Sequence, residues 1–148
     1  MNIRLAARTD IDALVGFNKS MALETEDKEL EAEVLRPGVA AVFDDPNKGF
    51  YVVAEVDGKP VGGLLITYEW SDWRNKWFWW IQSVYVVPDY RGRSGYRQMY
   101  QFVKMLADRR GDVCGFRLYV DRENEAAQRV YEKLGMHRSH YLAYEEDK

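Results

Sequence analysis

The sequence is poor in the residues that form cross-links and metal sites. Among its 148 residues there is one cysteine, Cys114, and there are two histidines. A single cysteine rules out an intramolecular disulfide and a cysteine-based zinc cage. His137 and His140 lie three positions apart with no third ligand at a typical spacing, so we expect no metal. Because nothing here depends on disulfide chemistry, we expect a cytoplasmic protein.

The chain also lacks long hydrophobic runs and a strong excess of charge. No stretch approaches the roughly 20 apolar residues of a transmembrane helix, and the N-terminus has no apolar signal core, so we expect no membrane association. The 21 basic and 24 acidic residues nearly cancel, to a net charge of −3. This balance argues against a nucleic-acid partner bound through bulk charge. The length predicts one domain over residues 1–148.

Hydrophobic periodicity predicts the element order β-α-α-β-β-β-α-β-α-β, which is an α+β (mixed α/β) fold with a sheet covered by helices. The strand–helix–strand unit from residue 81 to residue 120 should contain a parallel strand pair. Predicted strands cover residues 2–8, 50–56, 60–68, 81–87, 116–120 and 136–145. Predicted helices cover residues 10–23, 30–38, 95–111 and 124–134, with a further helical turn at 39–43.

Glycines and tryptophans mark two special places in the central strands. Asp57-Gly58 predicts a hairpin turn, and Gly62-Gly63 should bend or bulge the returning strand. All five tryptophans fall within residues 70–80. They could form an aromatic floor for an amine through cation–π contacts, or an interface between copies. Both faces of a strand with aromatics at 77–80 need cover, so we favour packing plus burial in a homodimer.

One stretch, residues 84–97, joins a β-branched strand to a helix through a short basic turn. The strand stops at Pro88, and a helical pattern begins at Ser94 or Gly95. That order gathers free backbone N–H groups, a positive helix end and three arginines around one concavity. Such a place suits a phosphate or pyrophosphate. An ordinary tight turn with a solvated basic rim is the alternative.

Two motifs in this order resemble a known family. Residues 86–93 read Val-Val-Pro-Asp-Tyr-Arg-Gly-Arg. Residues 120–127 read Val-Asp-Arg-Glu-Asn-Glu-Ala-Ala, followed at 130–136 by Val-Tyr-Glu-Lys-Leu-Gly-Met. They resemble the acyl-CoA signature and the second signature of the GNAT superfamily of N-acetyltransferases. The resemblance covers nearly the whole chain and implies a mixed, mostly antiparallel sheet with a splayed parallel strand pair, flanked by helices.

The resemblance implies where acetyl-CoA, the co-substrate, would bind. The backbone of Val84 and Val86 would pair with the pantetheine arm as an added strand does, and N–H groups near Val84 would stabilise the oxyanion. The thioester would enter between the parallel strands, residues 81–87 and 115–120. The loop residues assigned to the pyrophosphate are Arg91, Gly92, Arg93, Ser94, Gly95, Tyr96 and Arg97.

The loop departs from the family pattern, which is Arg/Gln-x-x-Gly-x-Gly/Ala. Ser94 replaces the first glycine and Tyr96 replaces the second small residue. Serine can still approach a phosphate, donate its hydroxyl and cap the helix. The side chain of Tyr96 would have to turn away from the ligand.

Tyr131 is the candidate general acid. The resemblance implies that a tyrosine at this position lies close to the CoA sulfur and protonates the departing thiolate. A phenol with a pKa near ~10 is protonated at neutral pH and can donate. Core packing on an amphipathic helix is the alternative role. Asn124 upstream should cap the same helix, with a CoA contact as an addition.

The general base is less well defined. Many relatives place a glutamate on the central strand where this chain has Gln82, which cannot accept a proton. Glu24, Glu26 and Asp27 follow the first helix and are candidates to deprotonate the amine through water or to bind a cationic amine. A solvated acidic loop is an equally good interpretation.

The sequence therefore predicts an acyltransferase that moves an acetyl group from acetyl-CoA to a primary amine of a small molecule. No cysteine is placed for a covalent intermediate, so we expect direct attack in a ternary complex. The alternative is a non-catalytic acyl-CoA-binding or interaction domain, which Ser94, Tyr96 and Gln82 make conceivable. The acceptor stays open, although residues 21–27 and 67–70 are similar to the polyamine and thialysine acetyltransferase subgroup.

Overall fold

The computed structural model describes all 148 residues. Its five strands form a sheet in the order β1-β2-β3-β4-β5. The strands are β1 Asn2–Leu5, β2 Phe50–Val56, β3 Lys59–Ser71, β4 Lys76–Val86 and β5 Val113–Leu118. The helices are α1 Ile11–Glu26, α2 Ala32–Asp44, α3 Gly95–Arg110 and α4 Glu125–Lys133, with 3-10 turns at Arg8–Asp10 and Pro88–Tyr90. Neighbouring strands are antiparallel except β4 and β5, which run parallel. The predicted α+β class and the parallel pair are confirmed.

Helix α2 corrects one predicted boundary. The helix was expected to end near Pro37-Gly38, but it continues to Asp44 with Pro37 inside it. A proline interior to a helix removes one backbone hydrogen bond. Val39 belongs to a buried cluster under the sheet, Leu35 and Val42 pack against that cluster, and this burial offsets the lost bond. A boundary predicted from one residue was therefore overridden by tertiary packing.

The β2–β3 hairpin turns at Asp57 and Gly58, as predicted. Both residues have positive φ, 51° and 76°, which is the geometry of a tight hairpin turn. The register between these strands shifts just before Gly62, which agrees with the expected bulge. A Cβ on Gly62 would lie 3.0 Å from the carbonyl oxygen of Tyr85, so glycine is needed for the close approach of β4.

The sheet buries side chains on both of its faces. Helix α3 covers one face, where Met99 and Val103 pack against Leu64, Ile66 and Trp79. Helices α1 and α2 cover part of the other face, through a smaller cluster formed by Leu14, Val15, Val39, Tyr51 and Val53. The rest of that second face, toward β5, carries no helix.

A buried acid ties the first strand to the start of α1. Asp10 is 4% exposed and receives two hydrogen bonds from the guanidinium of Arg4, at 2.7 and 3.0 Å. It also accepts the backbone N–H of Ala7 at 2.7 Å. Arg4 donates further to Glu55 on β2 at 2.9 Å. The network fixes the entry into α1.

The C-terminal strands predicted for residues 136–145 are absent. The last helix is followed by Gly135, whose positive φ of 97° ends it as predicted. Beyond it, residues 137–148 form no backbone–backbone hydrogen bonds. The alternating pattern is that of a strand, but a strand requires a partner along its edge. We call residues 137–148 the tail.

Candidate active site

The parallel strands β4 and β5 separate halfway along β4. Their pairing runs from Trp77 opposite Val113 to Ile81 opposite Leu118. Beyond Ile81, β4 stays paired with β3 alone through Val86. The edge of β4 that faces away from β3 is thus open from Gln82 to Val86. Backbone groups on this edge are available to an extended ligand, as the family resemblance implies.

The loop between the open edge of β4 and α3 contains two residues in the left-handed backbone conformation. Gly92 and Ser94 have φ values of 79° and 62°, and α3 starts at Gly95. The expectation that Ser94 caps this helix is wrong, because its hydroxyl makes no capping hydrogen bond. The first N–H groups of α3 therefore have no side-chain partner at this cap. With the helix dipole they present positive charge at the position expected for the pyrophosphate.

Gly95 brings the helix end close to the open strand. A Cβ at this position would lie 3.4 Å from Cγ2 of Val86, and Gly95 itself is buried. The three arginines of the region, Arg91, Arg93 and Arg97, are exposed around this helix end. The loop residues predicted from the sequence are thus brought together beside the open edge of β4.

Arg91 and Glu24 connect the loop to the end of α1. The Arg91 guanidinium donates to the Glu24 carboxylate at 2.8 Å and to the carbonyl oxygen of Val86 at 2.8 Å. The Tyr85 hydroxyl donates to the other carboxylate oxygen at 3.1 Å. These contacts bring Glu24 and the loop together, although the sequence indicated them as two separate candidate sites. The side chain of Glu26 makes no hydrogen bond to Glu24 or to the loop.

Charge and burial set the protonation of this cluster. The hydrogen bond from Arg91 lowers the pKa of Glu24, and the bond from Tyr85 lowers it further. Burial raises the pKa of Tyr85, and the bond to Glu24 raises it further. Glu24 is therefore ionised and Tyr85 protonated at neutral pH. Tyr85 was not identified as a site residue from the sequence, because its only distinguishing feature there was its position on β4.

Tyr131 lies on α4 against the start of α3. Its ring centroid is 5.3 Å from that of Tyr96, and burial raises the pKa of Tyr131. The side chain of Tyr96 does turn inward, where its hydroxyl has no hydrogen-bond partner. Burial also raises the pKa of Tyr96. Asn124 caps α4 as predicted, since its side-chain oxygen accepts the N–H of Ala127 at 3.1 Å.

The uncovered sheet face beside the open edge is aromatic and charged. Glu69 on β3 accepts hydrogen bonds from the Trp80 indole at 2.8 Å and from Arg117 at 2.9 Å. The Arg117 guanidinium lies 3.6 Å from the centre of the Phe78 ring. Trp80 also packs against Tyr119 at 4.7 Å. Sequence reasoning named the tryptophans, included Glu69 only as part of residues 67–70, and missed Arg117. Only the strand register brings Glu69 and Arg117 within hydrogen-bond distance across β4.

The remaining polar and aromatic candidates have structural roles here. Gln82 donates to the hydroxyl of Thr67 at 2.9 Å, and Cys114 donates to the carbonyl of Trp77 at 3.3 Å. Trp79 is buried in the core, whereas Trp73 is 89% exposed. No three histidine, cysteine or acidic side chains converge as metal ligands. None of the helices has the length and apolar character needed to cross a bilayer.

Known proteins match both the sequence and the fold. The model of the acetyltransferase (GNAT) family matches residues 18–136. The solved structure of a possible acetyltransferase from Clostridium difficile 630 is 43% identical with a TM-score of 0.93, and the match covers 99% of this chain and 97% of that chain. No curated protein matches the chain.

Two more distant structures share the fold. Ribosomal-protein-alanine N-acetyltransferase from Brucella melitensis biovar Abortus 2308 is 17% identical with a TM-score of 0.80, over 100% of both chains. The aminoglycoside N-acetyltransferase AAC(6')-Iy in complex with CoA is 15% identical with a TM-score of 0.77, over 99% of both chains.

Proposed function

Because the chain belongs to the GNAT family of acetyltransferases, we propose that it transfers the acetyl group of acetyl-CoA to a primary amine of a small molecule. The observation that carries this proposal is the open β4 edge between Gln82 and Val86. It leads directly into a basic, left-handed loop at a helix N-terminus. A strand-like pantetheine arm and a pyrophosphate match these two surfaces in that order.

Acetyl-CoA would lie along β4 with its pyrophosphate at the start of α3. The backbone of Val84 and Val86 would pair with the pantetheine arm, and the N–H groups from Gly92 to Arg97 would hold the phosphates. Arg91 and Arg93 would add charge-assisted hydrogen bonds to phosphate oxygens. Asn124 uses its side-chain oxygen for the cap, which leaves its amide nitrogen for a CoA contact.

The transfer would proceed by direct attack in a ternary complex. The amine nitrogen forms a bond to the thioester carbonyl carbon, and the carbon–sulfur bond breaks to release the CoA thiolate. Backbone N–H groups of β4 near Val84 would stabilise the developing oxyanion. The Cys114 thiol is half-buried and bonded to a backbone carbonyl, which supports a reaction without a covalent enzyme intermediate.

Tyr131 would supply the proton that the thiolate takes. Its raised pKa keeps the phenol protonated throughout the neutral range. The tyrosine faces a cavity that is also lined by Phe116 and Leu118 on β5, the strand that borders the thioester site. A positioned phenol in such a place contributes as a general acid.

The Glu24 carboxylate would bind the acceptor in its ammonium form. The ammonium group would then lose its proton to water. A carboxylate with a lowered pKa is a weak base but a good partner for a cation. Glu26, two residues further along α1, is the second candidate for this role. The aromatic floor with Trp80 and Tyr119 would hold the apolar part of the acceptor by packing against it.

The remaining proposals concern the protein as a whole. We propose that residues 1–148 act as one domain in the cytoplasm, without a metal and without a nucleic-acid or membrane partner. We also propose a homodimer, since exposed aromatics such as Trp70 and Trp73 favour interfaces. The candidate acceptors fall into four classes: polyamines, amino acids, aminoglycosides and protein N-termini.

The release of CoA thiol tests the proposed function. Purified protein would be assayed with acetyl-CoA against a panel of amines drawn from those four classes, with Tyr131→Phe as the matched variant. We expect thiol release that depends on one amine class and the corresponding N-acetyl product by mass spectrometry. CoA binding by calorimetry without acylation of any amine would instead support the alternative, a non-catalytic acyl-CoA-binding domain.

A further inference from the structure

Arg117 presents a free hydrogen-bonding edge on the uncovered part of the sheet. The only hydrogen bond of its side chain runs from Nη1 to the carboxylate of Glu69, at 2.9 Å, so Nε and Nη2 remain free. The side chain is 32% exposed, which makes it accessible from solvent. The Nε and Nη2 groups of a guanidinium are parallel donors that match the two oxygens of a carboxylate. An anion can therefore bind here without breaking the contact to Glu69.

Two contacts hold this guanidinium in place. It lies 3.6 Å from the centre of the Phe78 ring, and Phe78 is buried in the central strand β4. Glu69 is itself fixed by the Trp80 indole, which donates to it at 2.8 Å. A planar cation that is already stacked and hydrogen-bonded loses little conformational freedom when it binds an anion. The free donor edge is thus preorganised.

A second guanidinium adds positive charge at the same ring. Arg74, in the turn between β3 and β4, lies 5.0 Å from the centre of the Phe78 ring. Its backbone N–H donates to the Ser71 hydroxyl, but its side chain forms neither a hydrogen bond nor an ion pair. Glu69 balances the charge of Arg117 and leaves that of Arg74. The surface therefore favours an anion over a cation.

The free edge of Arg117 lies on the acceptor side of the candidate site. Arg117 is opposite Trp80, one position before β4 and β5 separate. Phe116 and Leu118 pack against the core under α3, so the side chain between them points to the other face, which α1 partly covers. Glu24, proposed to bind the ammonium group, lies at the end of α1. One face thus offers an anion for the amine and a cation further along the sheet.

The strand register gives the spacing that an acceptor must span. Val84, whose N–H is proposed to stabilise the oxyanion, lies four residues beyond Trp80, which is about 13 Å along an extended strand. About 3 Å at the attacking nitrogen and about 3 Å for a hydrogen bond leave about 7 Å. Three bonds of an extended chain span at most about 3.6 Å, so about six bonds separate the acceptor nitrogen from the anion.

We propose that the acceptor is an aliphatic amine with a carboxylate at its far end, and that the free edge of Arg117 binds this carboxylate. The ammonium group meets Glu24, and the methylene chain packs on the adjoining rings of Trp80 and Tyr119. The carboxylate accepts two hydrogen bonds, from Nε and Nη2 of Arg117. This inference rests on the proposed function, and among its four acceptor classes it selects the amino acids. Polyamines and aminoglycosides place a second cation against the guanidiniums, which repel it.

Three amines of equal length test the acceptor class. 6-Aminohexanoate carries the carboxylate, 6-aminohexanol ends in a neutral group, and 1,6-diaminohexane ends in a second ammonium group. We expect the kcat/KM of the wild type to be at least about tenfold higher for 6-aminohexanoate than for 6-aminohexanol, the size of one charge-assisted contact. The diamine should give the lowest value. Equal values for the three amines, or a preference for another end group, would overturn the proposal.

Substitutions of Arg117 test the residue. Arg117→Gln should lower kcat/KM for 6-aminohexanoate about tenfold and leave the value for 6-aminohexanol and the KM for acetyl-CoA unchanged. Arg117→Lys keeps the charge without the paired donors and should give an intermediate value. Arg109→Gln removes an exposed charge from the last turn of α3, on the other face of the sheet, and should match the wild type. Equal losses for both amines in Arg117→Gln would indicate a structural role and overturn the proposal.

Binding of a product analogue separates this proposal from the proposed function. 6-Acetamidohexanoate keeps the carboxylate, and its amide nitrogen is not a nucleophile, so its Kd in the presence of CoA does not depend on turnover. The indole N–H resonance of Trp80, which donates to Glu69, follows the titration by NMR. We expect Arg117→Gln to raise the Kd about tenfold and Arg109→Gln to leave it unchanged. If so, a protein that acetylates no amine would refute only the proposed function. Equal Kd values for the wild type and Arg117→Gln, or no binding to the wild type, would overturn the carboxylate site whatever the activity.

Discussion

The guanidinium of Arg91 lies 2.8 Å from the carboxylate of Glu24 and joins the two substrate sides of the candidate site. The same guanidinium donates to the carbonyl of Val86, a group proposed to pair with the pantetheine arm. Nε and Nη2 of Arg91 make these two contacts, and its Nη1 is left to donate to a phosphate oxygen. We therefore expect Arg91 to hold the Glu24 carboxylate in place while it binds the pyrophosphate.

Substitution of these two residues should separate the effects on the two substrates. Glu24→Gln should raise the KM for the amine about tenfold, the size of one lost charge-assisted contact, and leave the KM for acetyl-CoA unchanged. Arg91→Ala should raise the KM for acetyl-CoA by a similar factor. Steady-state kinetics with both substrates varied provide the measurement. An unchanged amine KM in Glu24→Gln would remove Glu24 from the acceptor side.

Tyr131 and Tyr96 form a matched pair for testing the general acid. Tyr131→Phe should lower kcat by roughly 10²-fold or more while CoA affinity is retained. Tyr96→Phe should keep full activity, because it removes a buried hydroxyl that has no partner. It should also raise the free energy of unfolding by up to about 1 kcal/mol. Equal losses of kcat in both variants would indicate a packing role for Tyr131.

The pH dependence of kcat should report the phenol of Tyr131. Burial raises its pKa, so the proton needed by the thiolate is present below that pKa and lost above it. The wild type should therefore keep its kcat up to about pH 10. Tyr131→Phe should lack the alkaline limb that follows. A decline of wild-type kcat already near pH 8 would assign the limb to another group.

Ser94 should carry backbone strain that glycine relieves. Its φ of 62° is unfavourable for a residue with a Cβ, by about 1 kcal/mol. Ser94→Gly should therefore raise the free energy of unfolding by up to about that amount and leave CoA affinity intact, since the phosphate would be held by N–H groups. Ser94→Ala keeps the strain and serves as the control. Urea unfolding and CoA titration of all three proteins give the comparison, and weaker CoA binding in both variants would instead assign a phosphate contact to the hydroxyl.

The ion pair of Asp10 and Arg4 should make stability depend on pH. The hydrogen bond from Arg4 lowers the pKa of Asp10, so the pair stabilises the fold above the unfolded-state pKa near 3.9. That contribution is lost as pH falls through the lower, folded-state pKa.

The stability test compares a buried and an exposed acid. Asp10→Asn should lower the free energy of unfolding by about 2 kcal/mol at pH 7, and the difference should shrink toward pH 2. Asp12→Asn, at an 84% exposed side chain, should cost no more than about 1 kcal/mol. Urea unfolding at both pH values measures this, and a difference for Asp10→Asn that does not depend on pH would rule out the carboxylate's charge as its cause.

Local patterns alone predicted most of the fold. The hairpin at Asp57-Gly58, the cap at Asn124 and the stop at Gly135 depend on backbone preferences of a few adjacent residues, so the sequence reveals them. The two motifs likewise named the loop and Tyr131. The interior Pro37 misled the prediction, because contacts from distant residues decide whether a helix tolerates it.

The sequence by itself determined the α+β class, the parallel strand pair and the basic loop at a helix start, since periodicity and turn chemistry are local. Only the tertiary structure decided that Arg91 meets Glu24, that Glu69 meets Arg117, and that Ser94 leaves the helix uncapped. These contacts depend on strand register and on how helices pack across the sheet. It also decided that the C-terminal strand pattern has no partner within its own chain, because a pattern specifies a strand but pairing requires an edge within reach.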